Sequence, residues 1–288
     1  MGELYITERQ AEKLGLRSYS SMSPQLEKCC LLLSANSSYA RAEEDIEVLT
    51  GVRVSRSTQQ RLVHQVMIPE VIATEFIESM DIDGGKARIR TPEGESCVWR
   101  DYKAVNLDIT VVGAFFQENE ELTSWVNQQP LAPIFSCLGD GHDGIWNLFA
   151  DIAIGDQRCE ILDWYHLIEN LYKTDLSNEQ KLEIKQLLWH GKFDETIGKL
   201  ESWQDREVTN FLAYLKKHRY RIHNYYYFQC EGIAIGSGAV ESLVKQIDRR
   251  VQISGAQWNS ENLPQVLNQR CAYLNGYFSN KHNYLLQN

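Results

Sequence analysis

The chain has 288 residues, 43% of them hydrophobic, and its formal net charge is −10 at pH 7. This length allows one large domain or two smaller ones, and no apolar run approaches the roughly 20 residues of a membrane-spanning helix. The acidic balance opposes a polyanionic partner unless basic residues are clustered locally.

Two further features of the sequence indicate the cellular compartment of the protein. The first ten residues contain no basic segment followed by an apolar one, so no secretory signal is expected. The seven cysteines include no C-x-x-C or C-x-x-H pair, which favours reduced thiols over disulfides or a zinc site. We therefore expect a cytoplasmic protein that makes no membrane contact.

The N-terminal region, residues 1–75, is predicted to be helical. One helix ends at Gly51, a residue typical of helix C-termini, and the pair Ser57–Thr58 is suited to cap the next one. Two helices separated by about four residues resemble a helix-turn-helix. The second helix carries Arg56 and Arg61, which could contact DNA, but a small bundle packed on the next domain is an equal alternative.

The following region, residues 76–166, is predicted to contain a sheet. The stretch "SMDIDGG" predicts a strand ending at Asp83 beside a turn at Gly84–Gly85, and residues 96–117 indicate one or two more strands. An apolar strand then ends at Asp140, and another leads into "DWYH". Strands alternating with helices predict an α/β fold, a mixed sheet with helices on its faces.

The remaining chain is predicted to be helical in two parts, residues 167–231 and residues 232–288. The first part contains a basic run without acids, followed by Tyr225–Tyr227. Tyrosines beside basic residues suit stacking on exposed bases, although a solvated helix face beside buried aromatics gives the same pattern. The second part begins a helix after "GSG" with one apolar face: Val240, Leu243, Val244, Ile247 and Val251.

Three carboxylates have positions that suit metal-ion chemistry. Asp83 and Asp140 each end a predicted strand and precede a glycine, and Glu241 lies in the first turns of a later helix. A strand fixes the carboxylate oxygens, and the glycine leaves room for a hard cation and a phosphate. Each also has a plain alternative: a local turn residue for the aspartates, and pairing with Lys245 for Glu241. By its place before "GIWNLF", Asp143 is predicted to cap a helix.

Five blocks of sequence, in this order, resemble bacterial insertion-sequence transposases. They are "SMDIDGG", "VWRDYKAVNL", "CLGDGHDGIWNL", "ILDWYHLIENL" and "GSGAVESLVKQIDRRVQISGAQW". The resemblance is to the Kra-type family, a relative of the Mutator-like transposases, and it spans about residues 35–275. Its most specific parts are the "GDGxxxIWN" and "GSGxVE…SGxxW" patterns.

The resemblance implies a ribonuclease-H-like fold with an Asp-Asp-Glu triad and two divalent ions, Mg²⁺ or Mn²⁺. The triad residues are then Asp83, Asp140 and Glu241, and residues 167–231 are similar to the all-helical insertion before the catalytic glutamate. In "DWYH" the resemblance also implies an accessory acid, Asp163, and a site histidine. That histidine, His166, could contact a flipped base or the scissile phosphate, or could be a core histidine.

The implied activity is metal-dependent cleavage and strand transfer of DNA in the bacterial nucleoid. The implied partners are the element's terminal inverted repeats, target DNA and further copies of the chain. The side chains expected to contact DNA are Arg56, Arg61, Lys216, Lys217, Arg219, Arg221, Lys245, Arg249, Arg250 and Trp258.

The chain departs from the family in one respect. Members usually carry more N-terminal sequence, often with a cysteine-rich region, so a truncated copy is one interpretation. Two alternatives to an active transposase therefore stay open. One is a non-catalytic DNA-binding remnant that occupies element ends, and the other is a ribonuclease-H-like nuclease with another substrate.

Overall fold

A computed structural model of the chain describes residues 7–13, 22–92, 95–203 and 205–279. The first six residues, part of the stretch predicted to lack a secretory signal, lie outside these ranges. In the described ranges the strands are β1 Ile77–Ile89, β2 Val98–Leu107, β3 Val111–Phe115, β4 Leu131–Gly139 and β5 Arg158–Leu162. The helices are α1 Glu8–Lys13, α2 Pro24–Ser34, α3 Tyr39–Thr50, α4 Arg56–Gln65, α5 Asn119–Asn127, α6 Asp143–Ala150, α7 Trp164–Tyr172, α8 Asn178–Trp189, α9 Phe193–Leu200, α10 Arg206–Lys217, α11 Tyr225–Cys230, α12 Gly238–Val251 and α13 Leu263–Leu274. None of these helices is both long and apolar enough to cross a membrane.

The five strands form one mixed sheet in the order β3-β2-β1-β4-β5. β4 pairs in parallel with both β1 and β5, whereas β2 and β3 are antiparallel. The second half of β4, "FSCLG", is buried throughout, as expected for a central parallel strand covered on both faces. The predicted α/β fold with a mixed sheet and flanking helices is confirmed, and it is compatible with a ribonuclease-H-like fold.

One predicted turn in the sheet was wrong. β1 runs straight through Gly84–Gly85, so Asp83 lies within a strand instead of at its end. Gly85 is required for space: a Cβ on Gly85 would lie 2.1 Å from the ring of Tyr102, a fully buried residue of β2. A glycine inside a strand thus lets a neighbouring ring approach the backbone, and local sequence does not distinguish this use from a turn.

The chain divides into two compact units. The first comprises residues 1–71, 86–100 and 246–288, and the second residues 72–85 and 101–245. These units differ from the four predicted regions, because the helical residues 167–231 group with the sheet.

In the first unit α2, α3 and α4 contact one another, and α4 also contacts α13. Its core includes Leu31, Val63 and Phe278. α3 ends at Gly51, as predicted, in the left-handed conformation that favours glycine. The predicted cap of α4 was two residues late, since the hydroxyl of Ser55 accepts the hydrogen bond from the N–H of Thr58.

Candidate active site

Asp83 and Asp140 follow the same parallel ladder. The pairing of β1 with β4 extends to Asp81 and Leu138. Asp83 and Asp140 each lie two residues beyond these paired positions. On the other side of β4, Gly139 pairs with Leu162 of β5. The residues that follow this pair are Asp140 after β4 and Asp163 after β5. Asp140 and Asp163 therefore follow directly after β4 and β5, and Asp83 lies level with Asp140 inside β1, just past the paired part of that strand. Sites of α/β proteins are usually built beyond the carboxyl ends of parallel strands.

The third acid of the predicted triad, Glu241, lies in the first turn of α12. The N–H of the preceding residue, Val240, donates to Oδ2 of Asp81 at 3.0 Å. The other oxygen of Asp81 accepts from the amide of Asn106 on β2 at 2.7 Å. Burial raises the pKa of Asp81 to about 6, although both hydrogen bonds act to lower it. This buried carboxylate thus connects the start of α12 to two strands of the sheet.

A second buried carboxylate, Asp163, holds the segment before α12. Its Oδ2 accepts hydrogen bonds from the N–H of Ser237 at 2.5 Å and from the hydroxyl at 2.6 Å. Its Oδ1 caps α7 by accepting from the N–H of His166 at 2.9 Å. The N–H of Trp164 also donates to the carbonyl of Ile235. The "DWYH" and "GSG" motifs are therefore two halves of one hydrogen-bonded support.

The three acids of the predicted triad lie close enough for their charges to affect one another. Burial raises the pKa of Asp83, and the negative charges of Asp140 and Glu241 raise it further. The hydrogen bond from the N–H of Gly84 and the nearby His166 act in the opposite direction. The Nε2 atom of His166 lies 3.6 Å from Oε1 of Glu241, so four of the predicted site residues lie together.

Each acid is also bound to a local donor. Oδ1 of Asp83 accepts from the N–H of Gly84, and Oδ1 of Asp140 accepts from the N–H of His142. Within the part of the chain that the structure describes, no three His, Cys, Asp or Glu side chains are arranged to hold a metal ion. The chemistry of the three carboxylates suits a hard divalent cation. Their charges act on one another, since Asp140 and Glu241 add to the effect of burial in raising the pKa of Asp83.

Glu241 also makes the contact that the plain alternative predicts. Its Oε2 atom lies 4.0 Å from Nζ of Lys245, at the limit of an ion pair. Both groups are partly exposed, so this pair contributes little to stability. The apolar face predicted for α12 is confirmed, since its members are buried: Val240, Leu243, Val244, Ile247 and Val251.

The loop after β4 is shaped by Gly141. Its φ is +100°, and an added Cβ would lie 2.9 Å from the hydroxyl of Tyr214. The cap predicted in this loop was wrong: His142 caps α6 by accepting from the N–H of Gly144. Asp143 is instead in the first turn of α6, where its charge suits the helix dipole, and it forms an ion pair with Lys217.

The basic run from Lys216 to Arg221, at the end of α10 and in the turn after it, is in contact with acids from other parts of the chain. Every one of its four cations forms an ion pair, and the pairs are Lys216–Glu201, Lys217–Asp143, Arg219–Asp194 and Arg221–Glu160. Acids from other parts of the chain therefore offset the positive charge of this run, which contains no acid of its own. Tyr225 is also unavailable for stacking, since it is fully buried and donates to the carbonyl of Leu162.

The other predicted DNA contacts divide by exposure. Arg56, Arg61, Lys245 and Arg249 are exposed. Arg250 is only 1% exposed, and Trp258 is half-buried with its indole N–H bound to the carbonyl of Val251. Arg250 therefore cannot contact DNA across an open surface.

Sequence reasoning missed Asp81 and Ser237. Asp81 precedes Asp83 by two residues in "DID", and the strand period places both acids on one face, so that signal was present. Ser237 carried only a weak signal within "GSG". A comparison of the chain with models of protein families and with curated proteins found no match.

Proposed function

We propose that the chain is a DDE-type transposase of the Kra-type insertion-sequence family, with a ribonuclease-H-like core. One observation carries this proposal: Asp83 and Asp140 lie two residues past the end of the ladder between β1 and β4, and the charges of Asp140 and Glu241 both raise the pKa of Asp83, in addition to burial. This is the triad that the sequence resemblance implies. In this proposal α3 and α4 serve as the helix-turn-helix, and residues 167–231 are the helical insertion before the catalytic glutamate.

Asp83, Asp140 and Glu241 would hold two divalent ions, Mg²⁺ or Mn²⁺. Such ions, when bound, activate water and stabilise the leaving oxygen of a phosphodiester. Asp81 and Asp163 keep the acids together, because they fix the start of α12 on the sheet. His166 is partly exposed beside Glu241, so its imidazole can contact the scissile phosphate or a neighbouring base.

The proposed reaction has two steps. Hydrolysis at the end of the element adds water across the phosphodiester and leaves a 3′-hydroxyl. This hydroxyl then attacks a phosphodiester of the target DNA, forms the new bond and releases a second 3′-hydroxyl. A covalent protein intermediate is not needed, so a nucleophilic Ser or Tyr is not part of the mechanism.

DNA contact is assigned mainly to the exposed cations Arg56, Arg61, Lys245 and Arg249. The run from Lys216 to Arg221 contributes in this proposal only if DNA displaces its acidic partners. We expect copies of the chain to assemble on the terminal inverted repeats in the bacterial nucleoid.

A non-catalytic DNA-binding remnant that occupies element ends is the second candidate. The test is nicking and strand transfer on DNA that carries the element's terminal repeats, with Mg²⁺ or Mn²⁺. The transposase proposal predicts both products, and their loss in Asp140→Ala. Binding to the repeats without either product identifies the remnant, and cleavage of DNA without the repeats identifies a nuclease with another substrate.

A further inference from the structure

A pocket that contains none of the triad acids lies in the unit with the N-terminal helices and the C-terminal segment. Its volume is about 370 Å³, and the loop of residues 253–259 forms one wall. The opposite side includes Ser38, Tyr39, Gln60 and His64. Two arginines complete the lining, and every one of the lining residues is described and none is acidic.

The key residue of this pocket is Arg250. It is 1% exposed, its Nε atom donates to the carbonyl of Ser34, and its Nη2 atom is buried with no hydrogen-bond partner among the described residues. No carboxylate in these residues lies within ion-pair distance of it. The guanidinium lies 5.1 Å from the ring centroid of Tyr39 and 5.0 Å from that of Trp258.

These contacts compensate the buried charge only in part. Two rings and one carbonyl attract the guanidinium, but a buried cation without a counter-charge is costly. Burial lowers the pKa of Arg250, and the hydroxyl of Tyr39, which is within hydrogen-bonding reach of the guanidinium, acts in the opposite direction. The buried guanidinium thus has a carbonyl, a hydroxyl and two rings as partners but no counter-charge, which indicates that a bound anion completes the site.

The motif "SGAQW" forms the wall of the pocket. Gly255 has a φ of +78°, which turns the loop. The backbone N–H of Trp258 donates to the carbonyl of Arg88, and the backbone carbonyl of Trp258 accepts from the N–H of Arg90, both at 2.9 Å. The loop is therefore attached to the end of β1 and brings exposed Arg90 to the same pocket as buried Arg250.

We propose that this pocket binds one nucleotide through its phosphate, with Arg250 and Arg90 as the phosphate ligands. Guanidinium groups form paired hydrogen bonds with phosphate oxygens. Gln60, Asn259 and Asn262 line the same pocket and can bind the edges of a base. The volume is that of a small-molecule site and too small for a duplex. Assigning the phosphate to a nucleotide rests on the proposed function, whereas the anion site itself does not.

The test is calorimetric titration with thymidine 5′-monophosphate, inorganic phosphate, thymidine and a short oligothymidylate. Arg90→Gln is the test variant, because this side chain is exposed and its replacement leaves the core intact. Arg100→Gln is the matched control, since it removes the same charge from an exposed side chain of the same unit outside the pocket. We expect the monophosphate to bind, thymidine not to bind, and Arg90→Gln alone to weaken binding by about tenfold.

Three results would overturn the inference: no binding of any phosphate-bearing ligand, equal binding of thymidine, or equal loss of affinity in Arg100→Gln. Binding of inorganic phosphate with the same affinity as the nucleotide would overturn the assignment to a nucleotide. Tighter binding of the oligothymidylate than of the monophosphate supports a strand as the source, and equal affinity supports a free nucleotide. None of these readouts requires cleavage, so failure of the transposase proposal would be seen separately.

Discussion

Asp163 accepts two hydrogen bonds from Ser237, a residue 74 positions later, and so connects the end of β5 to the start of the helix that carries Glu241. Asp81 makes an equivalent contact from β1 to Val240. Two buried acids from two strands thus hold the first turn of α12, in addition to the acids proposed to bind metal. Their effect on the site is positional, because it acts through the placement of Glu241.

The first prediction concerns Asp163→Asn. The asparagine amide keeps one acceptor oxygen but places N–H donors against either Ser237 or His166, both of which donate to the native carboxylate. We expect the free energy of unfolding to fall by about 2–3 kcal/mol, the usual cost of losing buried hydrogen bonds to a charged group. Urea unfolding measures this, with Ser237→Ala as a milder control that loses only the hydroxyl bond. Equal stability of Asp163→Asn and the native chain would contradict the assigned support.

The second prediction compares two neighbouring glycines. In Gly85→Ala the new Cβ would lie 2.1 Å from the buried ring of Tyr102, whereas in Gly84→Ala the nearest such atom is 3.8 Å away. We expect Gly85→Ala to lower the free energy of unfolding by about 1–3 kcal/mol through overpacking, and Gly84→Ala to have a much smaller effect. The comparison distinguishes a strand crossed by a ring from the Gly-Gly turn that the sequence favoured, since a turn would make the two variants similar.

The third prediction is a pH dependence from His218. This side chain is 1% exposed, and burial, followed by Arg221 and Lys217, lowers its pKa to about 4 from 6.5. The unfolded chain therefore takes up a proton that the folded chain excludes, so stability is retained above pH 6.5 and lost as pH falls towards 4. Between pH 7 and pH 5 the loss is about 2 kcal/mol.

The measurement is urea unfolding at both pH values, for the native chain and for His218→Phe. The phenylalanine keeps the ring contacts with Trp146 and Tyr214 but does not titrate. We expect the variant to lose about 2 kcal/mol less on acidification than the native chain. An identical pH response in both proteins would contradict a buried neutral imidazole at this position.

The sequence was informative where a local pattern sufficed. The strand before Asp140, the stop at Gly51 and the apolar face of α12 were all predicted correctly, because period and composition determine them. The misjudged features depend on partners that are distant in sequence. The Gly84–Gly85 pair was assigned to a turn because the ring of Tyr102 could not be foreseen. The ion pairs of the basic run from Lys216 to Arg221 were not predicted, because its acidic partners, such as Glu160, lie elsewhere in the chain.

The register of the sheet was the feature that could least be predicted from the sequence. Nothing in the local sequence indicates that Asp83 and Asp140 follow paired positions of neighbouring strands, since register arises from packing along the whole ladder. The resemblance to transposases supplied the grouping of the triad, and the strand register gives it a physical basis. The support from Asp81 and Asp163 became visible only with the hydrogen bonds.

The central claim is that Asp83, Asp140 and Glu241 form one divalent-metal site. It is tested most directly by Mn²⁺ binding, followed by the loss of the free-ion electron paramagnetic resonance signal, in the native chain, Asp140→Asn and Asp143→Asn. Both variants replace an aspartate, and the two positions are three residues apart, one in the loop after β4 and the other in the first turn of α6. We predict that Asp143→Asn binds Mn²⁺ like the native chain and that Asp140→Asn loses most of the affinity. Native-like binding by Asp140→Asn, or equal loss in both variants, would contradict the site.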